Sequence, residues 1–254
     1  MVQDTLLAEL ASALPDLPRW VAPRGLLLER RCEVLFGPEG RRGAGYLVVE
    51  RGPERGSERG PGHAGSAAFA VHRPSAALVA QLTGLGRPAA TVLAPIESAE
   101  PWRELLPGWR EQPSVVHVHP APATLPQPTH PTRFLTLEDL ERFEALPREL
   151  AAKLERALGR GPVAAAFDGE RAVSFAHAAH RTESWYDLSI DTLESHRRAG
   201  FATSAAAHLI HALLAQGKKP VWGALDADTA SMAMAKKYGF RAVDRMMLFA
   251  APQA

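Results

Sequence analysis

Leu6, Leu7, Leu10 and Leu14 share one face of a 3.6-residue repeat, so residues 3–14 are expected to form a helix that Pro15 ends. Two short apolar runs, 31–36 and 45–49, read as strands, with Gly37-Pro38-Glu39-Gly40 as the turn between them. Residues 51–66 are rich in Gly, Arg, Glu and Pro and hold almost nothing to bury, so they read as a mobile loop before a strand at 67–71. Pro74 then opens a helix over 75–83, closed by Gly84 and Gly86. Further short strands are expected at 90–94 and 115–118, with a helix at 102–109 between them.

From Pro120 to Pro131 five of twelve residues are proline, which marks a stiff, extended linker. A second pattern follows it. Residues 132–135 read as a strand, and Thr136 as the N-cap of a helix with Asp139 at its third position. Pro147 restarts a helix through Leu158. Residues 163–167 and 172–178 form a hairpin around Asp168-Gly169-Glu170. Residues 185–192 alternate, with Tyr186, Leu188, Ile190 and Thr192 on one side and Asp187, Ser189 and Asp191 on the other. A long helix from about Gly200, a strand at 221–225, a helix from Thr229 and a strand at 241–249 complete the chain. The expected class is α/β, an α+β mixed sheet. Residues 1–119 form an N-terminal α/β domain, 120–131 the linker, and 132–254 a second domain.

Composition narrows the function. The chain has 254 residues, one cysteine (Cys32) and a net charge of +1. Residues 1–130 carry 13 Arg and 13 acidic residues, and the remainder 16 basic and 15 acidic, so neither half is a basic module and no nucleic-acid partner is expected. Disulfides and a cysteine-based zinc site are excluded. Asp4 and Glu9, with no basic n-region, speak against a secretory signal. Residues 199–216 lack formal charge but contain Thr203, Ser204, His208 and His211, so a helix packed on a sheet is a better reading than a membrane span. A soluble, cytoplasmic protein is expected.

The most informative segment runs from Thr192 to Thr203. A strand ends, a turn follows, and a helix starts at Gly200 behind Arg197 and Arg198. A helix N-terminus with free N–H groups and partial positive charge is a seat for a diphosphate. On spacing alone the same pattern also fits an ordinary helix start with surface arginines. The larger set, Asp187–Thr192, His196–Thr203, Gly217–Trp222, Asp228–Ser231 and Ala235–Phe240, resembles in order and spacing the GNAT superfamily of acetyl-CoA-dependent N-acyltransferases. The resemblance covers about residues 131–254 and implies a GNAT-like domain at the C-terminus. The first domain is then a smaller α/β unit or a degenerate GNAT-like half.

The resemblance implies that the amides of Arg197, Arg198, Ala199, Gly200, Phe201, Ala202 and Thr203 hold the diphosphate of acetyl-CoA or another acyl-CoA. Ile190, Asp191 and Thr192 would pair with its pantetheine, and Asp228 and Ser231 stand in the Asn-x-x-Ser element. Many members carry a Glu where this chain has Tyr186, and a Tyr where it has Ala235. Asp187 is therefore the preferred base, beside a reading in which Asp187, Ser189 and Asp191 are structural polar residues. Tyr186 is a candidate acid or proton relay, and Asp191, Glu183 and His180 are substitute bases. Tyr238 reads as a packing or surface residue. The pairs His208/His211, His117/His119 and His177/His180 lack a ligand set, so no metal is expected. Cys32 reads as core, and Trp185 or Trp222 could line a substrate pocket.

The implied function is N-acetyl or N-acyl transfer to a primary amine of a small molecule or peptide by direct attack on the thioester. The alternatives are a non-catalytic acyl-CoA-binding or regulatory protein, and an assembly component whose N-terminal half binds protein. No membrane partner is expected, and a homodimer is compatible with the sequence.

Overall fold

The computed structural model describes residues 2–37, 45–51, 66–85, 89–121, 124–125, 127–143 and 146–252. The chain divides into two compact units that are interleaved in sequence. The first is Met1–Val116 with Ala224–Met232 and Ala242–Ala254; the second is His117–Gly223 with Ala233–Arg241.

The first unit holds α1 (Val2–Ala13), α2 (Val21–Leu28), β1 (Cys32–Phe36), β2 (Tyr46–Glu50), β3 (Ser66–Val71), α3 (Ala76–Gly84), β4 (Ala89–Pro95), α4 (Ala99–Leu105) and most of β5 (Arg110–Val118). Strands β1, β2 and β3 are antiparallel neighbours, and β3 runs parallel to β4. The late strand β11 (Arg241–Ala250) pairs antiparallel with β4, Phe249 opposite Val92. Alternate residues of β2 enter different cores. Leu47 and Val49 pack with Leu78, Leu82 and Trp102, while Tyr46 and Val48 pack with Leu7, Leu14, Leu26 and Leu27. A sheet covered on both sides explains the unbroken apolar run in β2.

The second unit holds β6 (Thr132–Phe134), α5 (Leu137–Arg142), α6 (Arg148–Leu158), β7 (Val163–Asp168), β8 (Arg171–Arg181), β9 (Trp185–Thr192), α7 (Phe201–Leu214) and the start of β10 (Lys219–Leu225). Helix α8 (Thr229–Lys237) begins in the first unit and ends in the second. The strand order in the second unit is β10-β9-β8-β7-β6, parallel between β10 and β9 and antiparallel elsewhere. Leu154 of α6 packs against Val163, Ala165 and Phe175. The buried Ala205, Ala206, Ala207, Leu209, Ile210 and Leu213 face of α7 closes on the strands. Each unit is therefore mixed α/β. The order α-α-β-β-β-α-β-α-β occurs twice along the chain, from α1 to β5 and from α5 to β11.

The Thr136 reading is realised as a complete capping box: Asp139 N–H donates to Thr136 Oγ1 at 3.3 Å, and Thr136 N–H donates to the Asp139 carboxylate at 2.8 Å. Arg133 grips the same carboxylate with both terminal nitrogens, at 2.7 and 2.8 Å, and holds its pKa well below the usual range.

Three elements differ from expectation. Helix α2 carries Pro23 and Gly25, which obscure the pattern, yet Pro23 lies in the first turn where its missing N–H costs nothing. Helix α4 begins at Ala99 and ends at Leu105 rather than spanning 102–109. Strand β5 begins at Arg110, since its polar first residues face outward, Glu111 pairing with Arg103 at 2.6 Å. The expected loop at 51–66 and the turn at 37–40 lie mostly outside the described residues. Among the described residues, no helix is long and apolar enough to cross a membrane.

Leu154 is 0% exposed at the centre of the α6 contact. Leu154→Ala is expected to lower unfolding free energy by about 2–5 kcal/mol. Urea unfolding with an unchanged m-value would show it. A loss under about 1 kcal/mol would mean that the site collapses around the smaller side chain.

Candidate active site

The site begins where two parallel strands stop pairing. The β9–β10 register joins Trp185, Tyr186 and Asp187 to Lys219, Pro220 and Val221, and among the described residues it runs no further. Strand β9 continues to Thr192, held on its other side by β8 through Ser174↔Thr192. Past Asp187, the β9 backbone groups facing β10 are thus left for another extended partner.

Asp187 stands at the last paired position. Its carboxyl is pushed up to about 7 by burial, with no opposing ion pair. Strand alternation places it with Ser189 and Asp191 on the face toward α6, and Tyr186 on the face toward α7. Tyr186 is 0% exposed, its hydroxyl has no hydrogen-bond partner among the described residues, and burial raises its pKa. Asp191 is engaged by Lys153 Nζ at 2.8 and 3.0 Å. Strand β8 carries one extra residue between Ala178↔Leu188 and Arg181↔Tyr186, so Ala179 and His180 lie opposite Asp187. Glu183 sits in the β8–β9 turn, where its carbonyl accepts from Lys218 Nζ at 2.6 Å.

Beyond β9 the chain makes a short 3-10 turn, Glu194–His196, and then the turn expected to hold phosphate. Arg198 (φ 63°) and Gly200 (φ 93°) are both left-handed, and α7 starts directly after Gly200. The first α7 amides therefore have no intrahelical acceptor, and Arg197 and Arg198 are exposed beside them. A Cβ at Gly200 would come within 3.1 Å of His130 Nε2. Substitution there is both strained and crowded. Asp228 and Ser231 lie in the first unit, where Ser231 N–H donates to the Asp228 carboxylate at 2.9 Å and Asp228 thereby caps α8.

Several supporting residues carried no sequence signal, because their partners are distant in the chain. The His130 ring stacks on Phe201 with centroids 4.0 Å apart, and its Nε2–H donates to the Ala199 carbonyl at 2.9 Å. Ser204 Oγ accepts from the backbone N–H groups of Thr129 and His130 at 3.0 and 3.1 Å. The segment entering β6 is thus tied to the turn. Tyr238 is buried, consistent with packing. Its ring lies 6.2 Å from Trp222, the Thr203 hydroxyl is near, and burial pushes its phenol up to about 12. Ser204→Ala would orphan two N–H groups at a buried site and is expected to cost about 1–3 kcal/mol. The melting temperature measures it, and an unchanged value would mean that other acceptors replace the hydroxyl.

Parallel strands that separate beside a glycine-started helix can bind an extended thioester cofactor and expose its carbonyl to a base. The family model described as GNAT acetyltransferase matches residues 154–249. These residues form a domain of the GNAT superfamily. Solved structures share the fold over nearly the whole chain. A GCN5-related N-acetyltransferase-like protein from Streptococcus suis superposes with a TM-score of 0.65 at 17% identity, covering 98% of each chain. A GCN5-related N-acetyltransferase from Kribbella flavida gives 0.63 at 15% identity, covering 95% of this chain and 97% of that one. A Drosophila protein gives 0.59 at 14% identity, covering 99% and 87%. No curated protein matches the chain. The matched residues contain β9, the 197–203 turn, α7 and β10, so that turn and the strand separation fall inside the matched region.

Proposed function

We propose that the chain is an acetyl-CoA-dependent N-acetyltransferase that acts on a primary amine by direct attack. The observation that carries this reading is the place of Asp187, a carboxylate poised near neutrality where β9 and β10 part. Acetyl-CoA supplies the acyl group as a thioester. The residues suited to hold it are the 197–203 turn, through the amides that open α7 and two arginines, and the edge of β9 that β10 leaves at Ile190, Asp191 and Thr192. The left-handed Arg198 and Gly200, with His130 pressed on Gly200, fit a turn shaped for a diphosphate.

The role of Asp187 follows from its pKa. Near neutral pH an appreciable fraction is ionised, and it accepts the proton the amine nitrogen loses as the new C–N bond forms. The protonated carboxyl then returns that proton to the sulfur as the C–S bond breaks, which closes the proton balance. Tyr186, sealed under α7, is assigned to packing of the central strand. The first α-α-β-β-β-α-β-α-β copy is a degenerate partner. It enters α3 through Pro74 and Ser75, and Ser75 Oγ already accepts the Leu78 N–H at 3.3 Å, so no glycine-started turn is left for phosphate.

The test is release of the CoA thiol from acetyl-CoA over a panel of amines and peptides, run beside thermal stabilisation by acetyl-CoA. Stabilisation with amine-dependent release supports the enzyme. Stabilisation without release on any amine supports a binding or regulatory protein. The absence of both overturns the cofactor assignment.

A further inference from the structure

The first unit has a strand separation of its own. Strands β3 and β4 run parallel, and among the described residues their pairing ends at Phe69↔Leu93. β3 continues to Val71 against β2, with Tyr46↔Val71, and β4 continues to Pro95 against β11, with Met246↔Pro95. In sheets of this kind ligands bind beyond the carboxyl ends of parallel strands. A cavity of about 510 Å³ lies there, lined by His72 and Arg73 after β3 and by Pro95, Glu97 and Ser98 at the end of β4. That volume suits a small organic molecule. This copy has no glycine-started turn, so the occupant is not an acyl-CoA.

The two sides of the cavity carry opposite charge. On the β3 side Arg73 is exposed and makes no ion pair among the described residues. Its place is fixed by its neighbours. His72 leaves the strand left-handed at φ 65°, with its ring edge-on to Tyr46 at 6.3 Å, and a Cβ on Gly45 would collide with the Arg73 backbone. On the β4 side Arg19 grips the carboxylates of both Glu97 and Asp244. One guanidinium thus serves two carboxylates, and this trio keeps one negative charge in surplus. Glu97 is the member that lines the cavity, its side chain 59% exposed. Ser98 Oγ donates to the Pro95 carbonyl at 2.9 Å, which leaves its lone pairs for an incoming N–H. Trp20 and Pro101 complete the lining with apolar surface, and Arg19 lies over the Trp20 ring at 5.7 Å.

A carboxylate suits Arg73, an ammonium suits Glu97 and Ser98, and an apolar side chain suits Trp20 and Pro101. We propose that the first unit binds a free zwitterionic amino acid with an apolar side chain, its carboxylate at Arg73 and its ammonium at Glu97. A simple amine would leave Arg73 without a partner, and a simple acid would leave the surplus negative charge unanswered. This goes beyond the acyl-transfer reading and does not depend on it.

Calorimetric titration of the full chain without acetyl-CoA tests this. L-phenylalanine and L-leucine are each compared with the matching amine (phenethylamine, isopentylamine) and the matching acid (3-phenylpropanoate, 4-methylpentanoate). At least one of the amino acids is expected to bind about tenfold or more tighter than both of its partial analogues. In Arg73→Gln its preference over the amine should fall below about threefold, and in Glu97→Gln its preference over the acid should do the same. Both positions are exposed, so neither substitution removes a core side chain. Asp187→Asn, in the other unit, should bind the amino acid as the wild type does. Undetectable binding of both amino acids, equal binding of an amino acid and its analogues, or preferences untouched by Arg73→Gln and Glu97→Gln would overturn the proposal. So would binding lost in Asp187→Asn, which would place the ligand at the acyl-transfer site. With acetyl-CoA absent from the titration, a failure here leaves the acyl-transfer reading standing. Failure of amine-dependent thiol release leaves this site standing.

Discussion

Asp187→Asn is expected to lower kcat by about 10²–10³-fold, the usual contribution of a positioned general base, while acetyl-CoA affinity stays within about twofold. The side chain keeps its shape and loses only the ability to take a proton. In the wild type, the rate should rise with pH through about 7, where this carboxyl ionises, and in the variant that limb should vanish. Stability should move the other way. The folded-state pKa of Asp187 lies above its value in the unfolded chain. Its contribution is therefore fully present below the unfolded pKa and is lost as pH rises through about 7. At pH 8 the ionised, desolvated carboxylate opposes folding, and a neutral amide does not. Asp187→Asn should then melt at or above the wild-type temperature there. Lower activity with a raised melting temperature separates a catalytic carboxylate from a structural one. A variant that loses stability and keeps its rate would return Asp187 to the structural polar residues of β9.

Gly200→Glu is expected to weaken acetyl-CoA binding by at least about 100-fold. Three effects act together. The residue is left-handed at φ 93°, which a side chain disfavours. Its Cβ would press on His130 at 3.1 Å. A carboxylate would also stand where a diphosphate must approach the α7 amides. Gly200→Ala separates these effects by keeping the strain and removing the charge, and its loss should be clearly smaller. Calorimetry with CoA reads both variants. Unchanged affinity in Gly200→Glu, with the fold intact by circular dichroism, would remove the 197–203 turn from the cofactor site.

The degree to which the sequence exposed this architecture depended on how local each signal is. The Thr136–Asp139 capping box, the 163–178 hairpin and the alternation of β9 are written within a few residues, and each appears in the fold. So is the glycine that opens α7, whose positive φ gives a physical reason for its place. Helix α2 was obscured by Pro23 and Gly25, and its Leu26 and Leu27 acquire meaning only against Tyr46 and Val48. The start of β5 was obscured by outward-facing polar residues. No local rule could have joined Ser204 to Thr129 and His130, or His177 to Ser189, because those contacts exist only once distant segments are folded together. Strand β11 likewise pairs with β4 across about 150 residues of chain, which interleaves the two units and is invisible to a reading that looks for end-to-end domains.

The most direct measurement of the central claim is a crystal structure grown with acetyl-CoA. The expected result is a diphosphate within about 3 Å of the backbone amides that open α7. The thioester should lie in the gap past the last β9–β10 pair, within reach of Asp187. Acetyl-CoA bound elsewhere on the chain, with the 197–203 turn bare, would contradict the proposed site.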